Sequence, residues 1–549
     1  MKKLNNKITF SNIMGVCISI LKHNYIYHIL NLIIWLFLSV LPIISGYIIK
    51  NLFDSLNFTG YKSYYSNLIL LSLLLLANIF FTYQGGIYDA KSRFYIGKFL
   101  RSNLFNYFTS VLTTFNNSSL LNMFNTDIDI IEEFISFTMD FFNKVIYFLF
   151  SFYILSSINL SMTIYIFIPL LLASIFIYTS GTKIKNHYFQ AKQEDLKTTT
   201  FISSIIEGHS CIRYFNPKKG ILKHLSISFD KRKQENLKKE VFFEAIERFT
   251  ELFNNLSYVL IMISSIYFIP LQNGVGDFML FIEYISYSAT YLLIFQDIFI
   301  KYKSIEKFLE NLKKQTDLKS NNLFNVIKGN IIYNYKKLEL PLRFTSFALH
   351  SSMKPINFEI NKGDIFIITG KIGVGKTQFI NCILNNVTYY GNISTNSQVL
   401  SKDEIPCVNY VPQNSILFDD TLINNIICYD KYDEKRFNDC LEICQLKEKV
   451  FNDLILNKSK IGKNGKKLSE GQRQRVTLAR ALYANNNIFI LDNCFANIDI
   501  STKNAIINKL IERKYTIIIT EDNIEYYKGK IKFKNLIINN NSMEICCYE

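Results

Sequence analysis

From Val145 to Thr182 the chain carries no Asp, Glu, Lys or Arg. An α-helix needs only about 20 residues to cross a bilayer, so this run is too long for one crossing. It reads as two spans joined by a tight turn near Asn159. Four more apolar stretches accompany it, within Ile29–Ile49, within Leu68–Tyr88, at Phe253–Ile269 and at Phe278–Ile300. Any one of them fits a buried helix of a large soluble protein, but six together do not. The pattern predicts a membrane α-helical bundle of six transmembrane helices.

The links between these stretches set the orientation. KNLFDSLNFTGYKSYYSN, SSINLSM and PLQNGVGD are nearly empty of positive charge, whereas DAKSRFYIGKFLRS, KIKNHYFQAKQEDLK through FDKRKQENLKKE, and KYKSIEKFLENLKK are rich in it. Basic links stay on the cytosolic side, so both termini are expected to be cytosolic and the membrane to be the plasma membrane. The basic links are also long and amphipathic, which predicts long cytosolic extensions of the helices. A net charge of +16 invites a nucleic-acid reading. The basic residues lie beside apolar runs and form no single basic face, so nucleic acid is set aside as a partner.

The abundance of Ile, Asn, Lys, Phe and Tyr resembles the codon bias of an AT-rich genome, and aromatic richness therefore says little about ligands. None of the 10 cysteines has paired C-x-x-C spacing, which reads as reduced cytosolic thiols. No short apolar region ends in a small-residue cleavage site near the N-terminus, so no removable signal peptide is expected. After LKKQTDLKSNN the composition changes to short apolar strands alternating with polar helices. Residues 1–315 are thus expected to form the membrane domain, 316–328 a linker, and 329–549 an α/β P-loop nucleotide-binding domain.

The strand-like DIFIIT runs into GKIGVGKT, Gly370 to Thr377, and then into helical QFINCIL. This is a G-x-x-x-x-G-K-[ST] phosphate loop in its required strand-to-helix setting. Gly370, Gly373 and Gly375 let backbone amides surround the phosphates of ATP, with Lys371, Ile372 and Val374 completing the loop and Gln378 following it. Lys376 is expected to reach the β and γ phosphates, and the Thr377 hydroxyl to coordinate Mg2+. Gln413 follows a strand-like segment in YVPQNSILF, and the apolar IFILD ends at Asp492, a candidate partner of the same Mg2+.

With LSEGQRQRVTLARAL, Leu468 to Leu482, these segments in this order resemble the ATP-binding cassette (ABC) family. LSEGQ matches four of the five places of that family's LSGGQ signature. FNTDIDIIEEF, SSIIEGHSCIRYFN and NGVGDFMLFIEY resemble the cytosolic links and last-span entry of its exporter-type membrane domain. The resemblance implies a half-transporter that pairs with a second such half. Each ATP then lies between the phosphate loop of one subunit and the signature of the other, here Leu468, Ser469, Glu470, Gly471 and Gln472. It also implies a dimer-contacting loop at Asp499 and an adenine-stacking aromatic at Phe344 or Phe347.

Two positions break the family pattern on its hydrolytic side. Asn493 stands where the family carries a glutamate, and Glu521 stands where it carries a histidine beside the γ-phosphate. Asparagine orients water but takes no proton, and a general base contributes about 10²–10⁴-fold. Glu521 is expected to bring negative charge toward the phosphate. Lys463 likewise replaces an acidic residue in IGKNG. The combination predicts ATP binding with little hydrolysis, and hence the degenerate half of a heterodimer exporting a peptide or hydrophobic small molecule. A homodimeric, poorly hydrolysing channel or sensor is the alternative.

Overall fold

The computed structural model of the chain describes residues 10–58, 61–110, 120–121, 123–215, 218–268, 275–288, 291, 301–302, 305–306 and 309. It further describes 334–548, except 396–397, 402–403, 457, 522–523, 526, 530 and 540–541. The chain forms two compact units, Met1–Ile331 and Ile332–Glu549. The expected linker at 316–328 lies outside the described residues.

The first unit is helical: α1 (Phe10–Leu21), α2 (Tyr25–Phe58), α3 (Tyr61–Ser110), α4 (Ile128–Ile158), α5 (Leu160–Glu207), α6 (Lys218–Phe268) and a helix over 275–288. Among the described residues, three segments are long and apolar enough to cross a membrane, Tyr25–Ser55, Ser63–Thr109 and Met123–Ile158, and an apolar segment Leu160–Phe176 follows them. The expected fifth stretch forms the end of α6. The expected sixth begins in the helix over 275–288, and most of its remainder lies outside the described residues.

The long charge-free run breaks at one residue. Asn159 has extended backbone (φ −153°, ψ 105°), its N–H donates to Leu155 O, and its side chain accepts from the N–H of Met162. A short amide side chain at such a break satisfies donors of the next helix that would otherwise face an apolar medium. The faces of α3 carry exposed Ile69, Leu73, Leu76, Ile79 and Tyr83, which suits contact with lipid. Leu155, Met162, Phe167, Ile261, Phe281 and Tyr284 pack into a buried cluster between helices.

The helices continue past their apolar segments. Arg101 on α3 pairs with Asp129 (2.6 Å) and Glu132 (2.8 Å) of α4, and Arg232 on α6 with Asp195 of α5 (2.5 Å). Near the other ends, Lys50 pairs with Asp277 (2.5 Å) and Asp54 accepts from the Gly276 N–H (3.1 Å). That contact ties α2 to the helix over 275–288.

The second unit is built on a six-stranded sheet. Its strands, in chain order, are β4 (Ile365–Thr369), β8 (Asn409–Val411), β9 (Ile488–Asp492), β10 (Thr516–Thr520), β11 (Phe533–Ile538) and β12 (Met543–Tyr548). Spatially they run β12-β11-β4-β10-β9-β8, parallel except for β12. The runs IFIIT, IFILD and TIIIT are apolar at consecutive positions because both faces of a parallel sheet are covered. Ile367, Leu491 and Ile519 enter one core, while Ile368, Ile490 and Ile518 enter the other. A four-stranded antiparallel sheet, β3-β2-β5-β6, is formed by β2 (Leu342–Ala348), β3 (Ile356–Ile360), β5 (Tyr390–Thr395) and β6 (Gln398–Val399), and β1 (Asn334–Lys337) pairs in parallel with β7 (Glu404–Cys407).

Candidate nucleotide-binding site

The site lies at the carboxyl ends of β4, β9 and β10, where parallel strands deliver side chains to one edge of the sheet. From β4 the chain turns through Gly370–Gly375 into α7 (Lys376–Ile383). Gly375 caps this helix at φ 109°, in the left-handed region that a side chain would strain. The resulting cleft, about 400 Å³, is lined by Ile372, Gly373, Gly375, Lys376, Thr377 and Gln378 from the loop and helix. Gln413, Asp492, Asn493, Thr520 and Glu521 complete its walls. Lys371 is exposed on the same loop and Val374 packs against the core, so neither lines the cleft.

Lys376 Nζ donates to Gly370 O (2.7 Å), which places the ammonium inside its own loop. Asp492 is 2% exposed at the end of β9 and accepts from the hydroxyls of Thr377 (3.3 Å) and Thr520 (3.0 Å). Burial raises the Asp492 pKa above the usual carboxylate value, against those two hydrogen bonds and the Lys376 charge. The Thr377 hydroxyl, Asp492 carboxylate and Gln413 amide are hard oxygen donors, and such a set fits Mg2+. Among the described residues no group of three or more His, Cys, Asp or Glu is placed to hold a metal ion.

Asn493 follows at φ 47°, a left-handed conformation that asparagine tolerates better than most residues. Its N–H donates to the Thr520 hydroxyl (2.7 Å), which in turn donates to Asp492. Thr520 thus links the strand end bearing Asp492 to the position after it. The sequence reading missed it, although Thr520 ends β10 directly beside Asp492 in parallel register.

The expectation that Glu521 points bare charge at the phosphate needs correction. Its carboxylate forms an ion pair with Lys503 (2.8 Å) and accepts from the Tyr527 hydroxyl (3.3 Å). The adenine expectation also fails. Phe344 and Phe347 are 1% and 0% exposed and sit in the core against Phe358 and Phe379, leaving no face for a base. Leu349, 3% exposed, packs beside the phosphate loop, its Cδ1 3.2 Å from where a Cβ on Gly375 would stand.

None of Leu468–Gln472 lines this cleft. Ser469 caps α8 (Glu470–Tyr483) in a capping box: its Oγ accepts from the Gln472 N–H, and the Gln472 side chain accepts from the Ser469 N–H. A side chain on Gly471 would meet Asn497 O at 2.4 Å, so glycine permits the close passage of the loop before α9 (Ile500–Glu512). Glu470 is tied by an ion pair to Arg473 one turn on. Asp499 caps α9, accepting from the Thr502 N–H (2.8 Å) and the Ser501 hydroxyl (2.5 Å). Those hydrogen bonds, the Ser501 hydroxyl first, hold its pKa down to about 2.

Residues 25–292 match the ABC transporter transmembrane region and residues 353–496 match the ABC transporter domain. The chain belongs to the ABC transporter family. It is 26% identical over 367 residues to the multidrug resistance-like ATP-binding protein MdlA of Buchnera aphidicola subsp. Baizongia pistaciae (strain Bp), covering 65% of this chain and 63% of that protein. It is 28% identical over 225 residues to the ATP-binding cassette transporter abc1 of Schizosaccharomyces pombe, covering 39% of this chain and 15% of that protein. The aligned region thus spans less than two thirds of the length of either relative. In fold it is similar to a bacterial Atm1-family ABC exporter solved with ATP bound (TM-score 0.74, 16% identity, 94% of each chain covered). This ABC family member thus joins a helical membrane domain to an α/β nucleotide-binding domain, as expected, and is a multi-pass membrane protein.

Proposed function

We propose that this chain is one half of a dimeric ATP-driven exporter, the half whose own site retains MgATP and turns it over slowly. It crosses the plasma membrane six times, with both termini in the cytosol. The observation that carries this reading is one cleft in which Lys376, Thr377, Gln413 and Asp492 converge while Asn493 and Glu521 form the hydrolytic wall. Phosphate and metal binding need cations, amides and hard oxygens, all present. Activation of water needs a proton acceptor, and an amide at position 493 supplies none. Mg2+ held by Thr377, Gln413 and Asp492 would neutralise phosphate charge.

The signature lies away from this chain's own cleft, which suits a role in a partner's site. A heterodimer follows, in which the partner supplies an intact glutamate and histidine and Ser469–Gln472 close over its ATP. Steady ATPase activity of the purified chain is expected at background, and activity should appear when a partner with an intact base is co-expressed. Rapid turnover by this chain alone would sink the proposal. Background activity with every candidate partner would favour the homodimeric channel or sensor.

The cargo is proposed as a peptide or hydrophobic small molecule. Glu283, on the helix over 275–288, is partly exposed and within electrostatic reach of Tyr147, Tyr284 and Tyr287. A carboxylate at membrane depth is costly unless it faces water, a partner or cargo. Glu283→Gln is expected to change substrate-stimulated turnover by about tenfold or more, the value of one charged hydrogen bond, with the thermal midpoint unchanged. A lower midpoint with normal stimulation would instead assign Glu283 to packing.

A further inference from the structure

A carboxylate in the wall of a triphosphate site ought to expel the triphosphate. We infer that Lys503 is a positioning residue of the nucleotide site, holding the Glu521 charge away from the terminal phosphate so that ATP is retained. This inference rests on the proposed retention of ATP at this chain's own phosphate loop.

Four observations converge on the pair. Lys503 Nζ lies 2.8 Å from Glu521 Oε2, and the two side chains are only 16% and 17% exposed. The Tyr527 hydroxyl donates to the same oxygen (3.3 Å), and Tyr527 is itself 1% exposed. The Lys503 ammonium lies 5.9 Å from the centre of the Phe495 ring and 6.0 Å from that of Tyr527, so aromatic faces hold the cation in place. The backbone N–H of Glu521 donates to Ile368 O (3.0 Å), which fixes the residue beside β4. Oε2 therefore has two donors before any nucleotide arrives.

The elements joined by this pair matter too. Lys503 stands in the first turn of α9, directly after the segment that leads from Asn493 past the loop facing Gly471. Glu521 begins the segment after β10, whose last residue, Thr520, bonds Asp492. The ion pair thus spans from the helix behind the hydrolytic position to the end of β10, whose Thr520 bonds the metal-binding Asp492. Charge at the cleft wall is neutralised in place by a residue of the same chain.

Removing the cation leaves a poorly solvated carboxylate with no counter-charge near the end of the triphosphate. At an effective dielectric of about 20, one such charge even about 10 Å from the γ-phosphate weakens binding by at least about tenfold. ADP lacks that phosphate and feels the charge less. A residue that merely stabilised the fold would affect both nucleotides alike.

The test is equilibrium binding of MgATP and MgADP to the full chain in lipid nanodiscs. Lys503→Met should weaken ATP by at least about tenfold and ADP by a smaller factor. Lys503→Arg should keep wild-type values, and Lys503→Met with Glu521→Gln should restore ATP affinity. If Lys503→Met does not fold, Lys503→Gln carries the same expectation, because it keeps a donor for Glu521 but removes the charge. Unchanged ATP affinity, or equal losses of ATP and ADP that the double variant does not restore, would overturn the inference. Absence of MgATP binding by the wild-type chain would instead overturn the functional reading on which it rests.

Discussion

Lys376→Ala is expected to abolish most nucleotide binding, weakening MgATP by about 10²–10³-fold. The residue opens α7, and its ammonium is held inside the phosphate loop by Gly370 O at 2.7 Å. The ammonium is therefore already placed when phosphate arrives, and little side-chain freedom is lost on binding. At about 4 Å and an effective dielectric near 20, one charge pair contributes roughly 4 kcal/mol, which is the upper end of that range. The backbone amides of the loop and the end of α7 remain, so weak binding at millimolar nucleotide should survive. The variant should fold, because Lys376 is only partly buried and lines the open cleft. Titration of a fluorescent ATP analogue against wild type and variant checks this directly. Equal affinities would mean that the cleft is not where ATP binds.

The second large effect is expected in a different subunit's site. In a co-expressed pair, Ser469→Ala should lower turnover about 10–100-fold, although Ser469 does not line its own chain's cleft. Its Oγ accepts from the Gln472 N–H (3.3 Å), so the hydroxyl hydrogen is left to donate across the interface to the partner's γ-phosphate. The start of α8 adds positive potential in the same direction. Ser469→Ala also removes a helix cap, which by itself costs about 1 kcal/mol. Ser469→Asp separates the two causes. It keeps a capping oxygen but puts a carboxylate against phosphate, so turnover should fall at least as far as with alanine. Asn493→Ala should change turnover of the pair by less than about twofold, since no general base is lost. A large loss with Asn493→Ala and none with Ser469→Ala would reverse the assignment of the working site.

Much of this architecture was readable in the chain because burial on both faces leaves a simple mark. IFIIT, IFILD and TIIIT are apolar at consecutive positions, and each emerges as a fully covered parallel strand. The charge-free run likewise had to break, and Asn159 is the polar residue at which it does. The aromatic assignment failed for a reason that periodicity does not carry. Phe344 and Phe347 are three residues apart, so simple alternation sends them to opposite faces of β2. A bulge between them, with Ser346 at φ 48° and its N–H donating to Asn357 Oδ1, turns both inward. The Lys503–Glu521 pair was hidden for a different reason. The two residues lie on successive elements with a buried strand between them, and no local spacing brings them together. By contrast, the neutralisation of Glu470 by Arg473 is a one-turn helix contact and was present in LSEGQR itself.

This site is proposed to hold ATP and to cleave it only slowly. The direct measurement is the fate of bound nucleotide. The purified chain is loaded with MgATP, freed of excess nucleotide, and its bound nucleotide is identified by chromatography over several hours. The account predicts that the nucleotide recovered is still ATP, and that Asn493→Glu converts part of it to ADP over the same interval. Recovery of ADP from the wild-type chain within minutes would contradict the account.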